Sequence, residues 1–297
     1  MADVLRILVT GGNGQLAQCL RKTQPASYAV TYADRAALNL EEHAAVRASI
    51  AAMKPHLVIN TAAYTKVDQA EKESEAAFAA NELAVKNLAE VCRDAGALLV
   101  HISTDFLFHG TFNRPIDEGH IPAPIGVYAQ SKLAGEKAMA ASGVAGAIVR
   151  TSWLYSEFGN NFMKTMIRLS GEKSRLRVVA DQHGSPTYAV DLAQALWRLT
   201  HELVLHHRNR CEIWHFSNYG VTTWYDFAVT ILALYGSKTE VEPILTAEYP
   251  LPTPRPAYSA LWPRRFAEQF EFPIRNWQLA LGDAVRAYKI LQGGATL

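Results

Sequence analysis

Residues 4–17 read VLRILVTGGNGQLA, and this stretch decides the fold. Val4 to Thr10 is a short apolar run, the pattern of a parallel strand buried on both faces. Gly11, Gly12 and Gly14 follow at once, and an apolar helical pattern then runs through Leu20. Strand, glycine turn and helix in that order are the context of a dinucleotide-binding turn. Glycine supplies positive φ there and lets the backbone approach a pyrophosphate closely. The free N–H groups of the helix N-terminus face the phosphates, so Gly11, Gly14, Gln15 and Leu16 are the expected cofactor contacts. Ala17 stands in the third glycine's place and still allows close helix–strand packing.

The rest of the first half repeats the alternation. Strands are expected near 28–32, 57–60, 97–104 and 145–153, and helices near 42–53, 81–95 and 128–141. Gly96 is a stop signal, and Asp68 reads as a cap for a helical stretch. Alternating strands and helices imply an α/β fold with a Rossmann-type, doubly wound parallel sheet. After Trp153 the pattern loosens. Helices are expected at 159–169, 191–201 and 223–235, strands at 175–179 and 214–217, and a proline-rich loop, PLPTPRPAY, at 250–258. The reading is a dinucleotide-binding domain over 1–153 and a smaller, mainly substrate-binding α/β domain over 154–297. A segment near 188–203 returns to the Rossmann core.

Composition narrows the function class. The 297 residues carry a net charge of +1, with no broad electrostatic footprint for nucleic acid. The pairs and triplets Arg264-Arg265 and His206-His207-Arg208 read as solvated surface. Cys19, Cys92 and Cys211 are odd in number and far apart, which argues against a disulfide framework and for a reducing compartment. Cys19 and Cys92 fall in helical patterns as buried thiols. The ten histidines include no H-E-x-x-H pattern, so no metal site is expected. No signal-peptide core and no apolar stretch of membrane-spanning length occurs, so the expectation is a cytoplasmic protein without a membrane partner.

The chemistry is carried by Thr104, Tyr128 and Lys132. A tyrosine with a pKa of about 10 is a poor acid–base group at neutral pH. A lysine four residues on lies one helical turn away on the same face, and its charge favours the phenolate. Thr104 adds a hydroxyl that can orient a carbonyl oxygen. With the glycine turn, these residues describe proton transfer coupled to hydride transfer. Asp34-Arg35 follows the second strand, and the two residues point opposite ways. The carboxylate suits the ribose 2′-hydroxyl of NAD, whereas the guanidinium suits the 2′-phosphate of NADP. Ala62, Ala63 and Tyr64 follow the third strand, where small residues let the chain pass close to a cofactor.

The turn and the Thr104–Tyr128–Lys132 set resemble the extended short-chain dehydrogenase/reductases. Further segments are similar to the dTDP-4-dehydrorhamnose reductases within them. These are NTAAYTKVDQAE at 60–71, STDFLFHG at 103–110, YAQSKLAGE at 128–136, RTSWLY at 150–155, GNNF at 159–162, DQHGSPTYAVDLA at 181–193 and RPAYSAL at 255–261. The resemblance runs from about Arg6 to about Leu261. It implies reduction by NADPH or NADH of the C4 ketone of dTDP-4-dehydro-6-deoxy-L-mannose to dTDP-L-rhamnose, a precursor of surface polysaccharide. Tyr128 would be the general acid, and Lys132 would hold the nicotinamide ribose and depress the Tyr128 pKa. Thr104 would hydrogen-bond the sugar oxygen. Val67, Asp105, Trp153, Asn161 and Gln182 match positions at the dTDP-sugar, and Ser185 and Pro186 lie in the same covering segment. Arg255 is a candidate for the diphosphate, since guanidinium pairs with phosphate oxygens. Tyr258 and His109 depart from the pattern, which commonly has Asn and an acidic residue there. Gln15 is neutral where some relatives have an acidic residue linked to Mg²⁺ near the dimer contact. A homodimer is left open.

Three rivals share the fold. A 4,6-dehydratase commonly needs Asp-Glu after the threonine, but Phe106 follows Asp105. A 4-epimerase fits the 103–110 and 181–187 segments poorly. A non-catalytic, dinucleotide-binding regulatory subunit differs from the enzyme only in turnover.

Overall fold

The computed structural model describes residues 4–110, 113–206 and 209–293. His207 and Arg208 of the basic triplet lie outside them. Strands β1 (Leu5–Thr10), β2 (Tyr28–Ala33), β3 (Leu57–Asn60), β4 (Leu98–Thr104) and β5 (Gly146–Thr151) form one parallel sheet with an edge strand, Cys211–His215. From one edge to the other the order is β2, β1, β3, β4, β5, Cys211–His215. All six run the same way. Parallel pairing requires crossovers, and helices supply them on both faces of the sheet. β3 and β5 are therefore buried at every position.

The order reverses between β1 and β3. The chain leaves β1 toward β2 on one side and returns to β3 on the other. Crossover connections diverge at that point, and a crevice opens at the carboxyl ends of the two strands. The glycine turn follows β1 and residues 61–66 follow β3, so both expected cofactor segments meet there.

The stretch expected as a separate strand at 214–217 differs. It begins at Cys211 and pairs with β5, from Cys211 opposite Gly146 to His215 opposite Arg150. It completes the sheet at the β5 edge, while on the other side of β5 Gly146 lets the β4 backbone approach where a Cβ would run into Leu99. The later part of the chain has no large sheet of its own among the described residues. It contributes short pairings, such as Arg175–Val179 with Glu240–Ile244 and His183–Gly184 with Thr222–Thr223.

Helix Ala189–Leu205 packs on helix α1 (Gln15–Lys22). One apolar cluster includes Val9 and Leu16 of the first half and Phe227 and Trp277 of the second. Cys19 and Cys92 are buried, and burial pushes both thiols up to about 12.

Two helix starts move from their expected places. Asp68 sits inside a short helix, Val67–Ala70, and does not cap it. The helix expected from Asn81 begins at Ser74 and passes through a π-turn at Ala79–Leu83. Asn81 explains that turn. Its Oδ1 accepts from Tyr64 N (2.9 Å), while Nδ2 donates to Tyr64 O and Ser131 Oγ, each at 3.0 Å. A one-residue widening aims the side chain at these partners, as π-bulges at functional sites do.

Candidate active site

The cleft at the switch point has a volume of about 620 Å³. Gly11, Asn13 and Gly14 form one wall, and Asp34 and Arg35 face it from the end of β2. Ala62, Ala63 and Tyr64 form the other wall. Gly11 has φ +71°, and a Cβ there would come within 2.8 Å of Ala62 N. The turn and the β3 exit therefore touch backbone to backbone, which only glycine permits. Gly14 is the N-cap of α1, so unpaired N–H groups open into this region. Small residues, a helix N-terminus and a long groove together fit a dinucleotide.

Asp34 accepts from Asn13 Nδ2 (2.7 Å) and Ala37 N (2.9 Å). The Ala37 amide, then the Asn13 amide, hold its carboxyl below the usual range. Arg35 is paired with Glu41 at 2.9 Å and is 73 % exposed, so it can turn toward a ligand at little cost. Leu16 packs into the core, which leaves only its main chain for a phosphate. The Gln15 side chain turns the other way and accepts from Asn161 Nδ2 at 2.8 Å.

Thr104 ends β4, and Tyr128 and Lys132 lie on helix Val127–Ser142 against it. The Thr104 hydroxyl lies close enough to the Tyr128 phenol to lower its pKa, so the expected pair is brought together. Val67 and the Phe106 ring pack around Tyr128, with Phe106 edge-on at 5.6 Å. The expected depression of the tyrosine is not what the structure displays. Burial pushes the Tyr128 phenol up to about 12, opposed by the neighbouring Thr104 hydroxyl and reinforced by the nearby Asp105. Lys132 is turned toward the strand instead. Its Nζ donates to Ile102 O at 2.7 Å and lies 3.2 Å from His101 Nε2. Burial brings its ammonium down to about 8. Asp105 is fully enclosed beside Thr104, and burial raises its carboxyl to about 6.

Trp153 follows β5 with φ +44°, a costly backbone for a bulky residue and a sign of function when it persists. Its ring stacks on Trp224 at 3.5 Å, and Gly184 leaves room for it where a Cβ would overlap the indole. Arg255 is held by Asp68 (2.7 Å) and Thr253 O (2.9 Å), next to Phe106. The proline-rich loop is thereby strapped beside Tyr128. Tyr258 stacks on His183.

Other expected substrate contacts are occupied elsewhere. Asn161 caps helix Phe162–Ser170 by accepting from Lys164 N, and its amide donates to Gln15, Ser156 and Phe158. Gln182 is buried and donates to Thr246. Asp191 is paired with Arg275 and Asn218 inside helix Ala189–Leu205.

Asn39, Leu40 and Lys66 also line the cleft, although nothing in their spacing marks them. Asn60, Asn81 and His101 are polar positions in apolar segments, a signal that a sequence reading can register without knowing the partner.

This architecture, a switch-point cleft beside a Thr–Tyr–Lys cluster, defines a protein of the short-chain dehydrogenase/reductase type. The RmlD substrate binding domain family matches residues 5–290. The dTDP-4-dehydrorhamnose reductase of Aggregatibacter actinomycetemcomitans is 37 % identical over 95 % of this chain and 99 % of its own. The spore coat polysaccharide biosynthesis protein SpsK of Bacillus subtilis is 39 % identical over 94 % of this chain and 96 % of its own. The dTDP-4-dehydrorhamnose reductase of Bacillus anthracis, solved in complex with NADP, superposes with a TM-score of 0.87 at 38 % identity, covering 94 % of this chain and 98 % of that one. The chain belongs to the RmlD family, that of the dTDP-4-dehydrorhamnose reductases.

Proposed function

We propose that this protein reduces the C4 ketone of dTDP-4-dehydro-6-deoxy-L-mannose with NADPH, giving dTDP-L-rhamnose, the last step of dTDP-rhamnose synthesis. NADH is the alternative reductant. The observation that carries the reading is the Thr104–Tyr128–Lys132 cluster beside the cleft, in a chain whose full-length relatives are reductases of this substrate.

When bound, the dinucleotide supplies a hydride. The protein's own part is positioning and proton supply. Thr104 holds the ketone oxygen beside the Tyr128 hydroxyl, and Tyr128 donates its proton to that oxygen as negative charge develops. Burial suits this direction of chemistry, because it keeps the phenol protonated before the transfer. Lys132 supplies positive charge close to the resulting phenolate and can reach the nicotinamide ribose. Arg35 favours a 2′-phosphate and Asp34 a 2′-hydroxyl. Val67 and Trp153 border the sugar, and Arg255 exchanges Asp68 for a diphosphate oxygen.

The test is oxidation of NADPH by purified protein with freshly generated dTDP-4-dehydro-6-deoxy-L-mannose, the product being identified by chromatography and NMR. Formation of dTDP-L-rhamnose is expected. Tight dinucleotide binding without turnover would overturn the reductase reading.

A further inference from the structure

Thr10, Asn60 and His101 are register partners on β1, β3 and β4. They form a polar row across the centre of the sheet. Each is fully buried. Buried polar groups of this kind must satisfy one another, and the donors can be followed atom by atom.

Asn60 Oδ1 accepts from Thr10 Oγ1 (2.7 Å) and from Ala62 N (3.1 Å). The Ala62 amide can only donate, so the orientation of the Asn60 amide is settled. Its Nδ2 then faces His101 Nδ1 at 3.0 Å. That contact needs a bare Nδ1, because Nδ2 is itself a donor. A neutral imidazole with a bare Nδ1 carries its proton on Nε2. Nε2 lies 3.2 Å from Lys132 Nζ. An N–H directed at an ammonium is a donor facing a donor, whereas an N–H directed at an amine is a hydrogen bond.

We propose that His101 is a positioning residue acting through Lys132: fixed by Asn60 as the Nε2–H tautomer, it presents that proton to the Lys132 amine and makes Lys132 a loosely held proton site beside Tyr128. The surrounding charges allow this. Glu136, one turn further along the helix, favours the ammonium, but it is bonded to Arg150 of β5 at 2.7 and 2.9 Å. His215 of the edge strand lies beyond Arg150 at 3.4 Å and is kept neutral by burial. Tyr128 precedes Lys132 by one turn, and Asp105 faces Tyr128. Burial holds the His101 imidazole neutral, and Lys132 adds to this when it is protonated. Ala62, whose amide donates to Asn60, is a wall of the cleft, so the row ties that wall to the amine.

The first test is ¹⁵N spectroscopy of the full chain labelled at histidine, with His101 assigned through His101→Gln. A proton on Nε2 and a bare Nδ1 are expected over roughly pH 6 to 9. A proton on Nδ1, or an imidazolium in that range, overturns the proposal. The second follows the Lys132 ¹³Cε shift against pH, assigned through Lys132→Arg. In His101→Leu the midpoint rises by about one pH unit, a tenfold change in proton affinity. His101→Gln, whose amide can both accept and donate, restores most of the wild-type midpoint. An unmoved midpoint in a folded His101→Leu overturns the proposal, and the tautomer measurement decides if that variant does not fold. The kinetic consequence rests on the proposed reductase reading: the alkaline limb of kcat moves with the midpoint. A shifted midpoint with an unshifted limb would count against Lys132 in that reading and leave the tautomer standing.

Discussion

The two sides of the active-site region are built in opposite ways. On the Gly11 side the walls are backbone: a glycine turn after β1 and small residues after β3, touching at 2.8 Å if a Cβ is added. On the Trp153 side the walls are side chains brought from far apart. Trp153 lies between Gly184 and Trp224, and Arg255 is tied to Asp68, 187 residues away. In the proposed reading the first side would accept a ligand part that varies little, a diphosphate and ribose. The second can be altered one side chain at a time. In that reading backbone would hold the cofactor, and long-range side-chain contacts would set the substrate.

The largest expected effect sits between the two sides. Tyr128→Phe should lower turnover by about 10²- to 10⁴-fold, the scale of general acid catalysis. NADPH affinity by fluorescence titration should stay near wild type; a parallel loss of affinity would mean that the hydroxyl supports the cofactor wall instead. Gly184→Ala drives a methyl into the Trp153 ring. It should lower kcat/KM for the dTDP-sugar by about 10²-fold, the scale of a misplaced contact, with dinucleotide affinity unchanged.

Asp105 tests the seam through stability. Its folded pKa of about 6 lies above the ordinary 3.8, so the folded chain holds the extra proton. Stability from this group is full below pH 4 and falls by roughly 2–3 kcal/mol as pH rises through 6. Urea midpoints across that range should fall for the wild type and stay flatter for Asp105→Asn. Equal slopes would show that the carboxyl is hydrated in solution.

Gly11→Ala should weaken the cofactor wall. Positive φ and the contact with Ala62 should cost about 1–2 kcal/mol of stability, with a matching loss of dinucleotide affinity. The smallest effect belongs to the strap. A double-mutant cycle between Asp68→Asn and Arg255→Gln should give a coupling of about 0.2–1 kcal/mol, since Asp68 is half-exposed. A zero coupling would show that the prolines alone hold the loop.

Legibility followed the same divide. The strand–glycine–helix order at 4–17 and the Tyr128–Lys132 spacing are local patterns, and the structure places both on the expected elements, although Lys132 turns to Ile102 and His101. The edge strand at 211–215 was legible as a strand but not in its place, because its pairing with β5 joins segments some 65 residues apart in the chain. Asn161 shows the converse. Its segment resembles a ligand-binding one, yet its amide and carbonyl are taken by the helix that follows it and by Gln15. The Tyr128 reading considered only the neighbouring lysine. Burial depends on residues from several elements and outweighed that neighbour.

By itself the sequence determined the class of fold and marked the glycine turn and the side chains proposed to react, because each rests on contacts within a few residues or one helical turn. Only the tertiary structure decided which way Lys132 points, that Thr10, Asn60 and His101 make one row, and which protons they hold. Those outcomes depend on strand register and on burial, and both arise only when segments far apart in the chain are packed together.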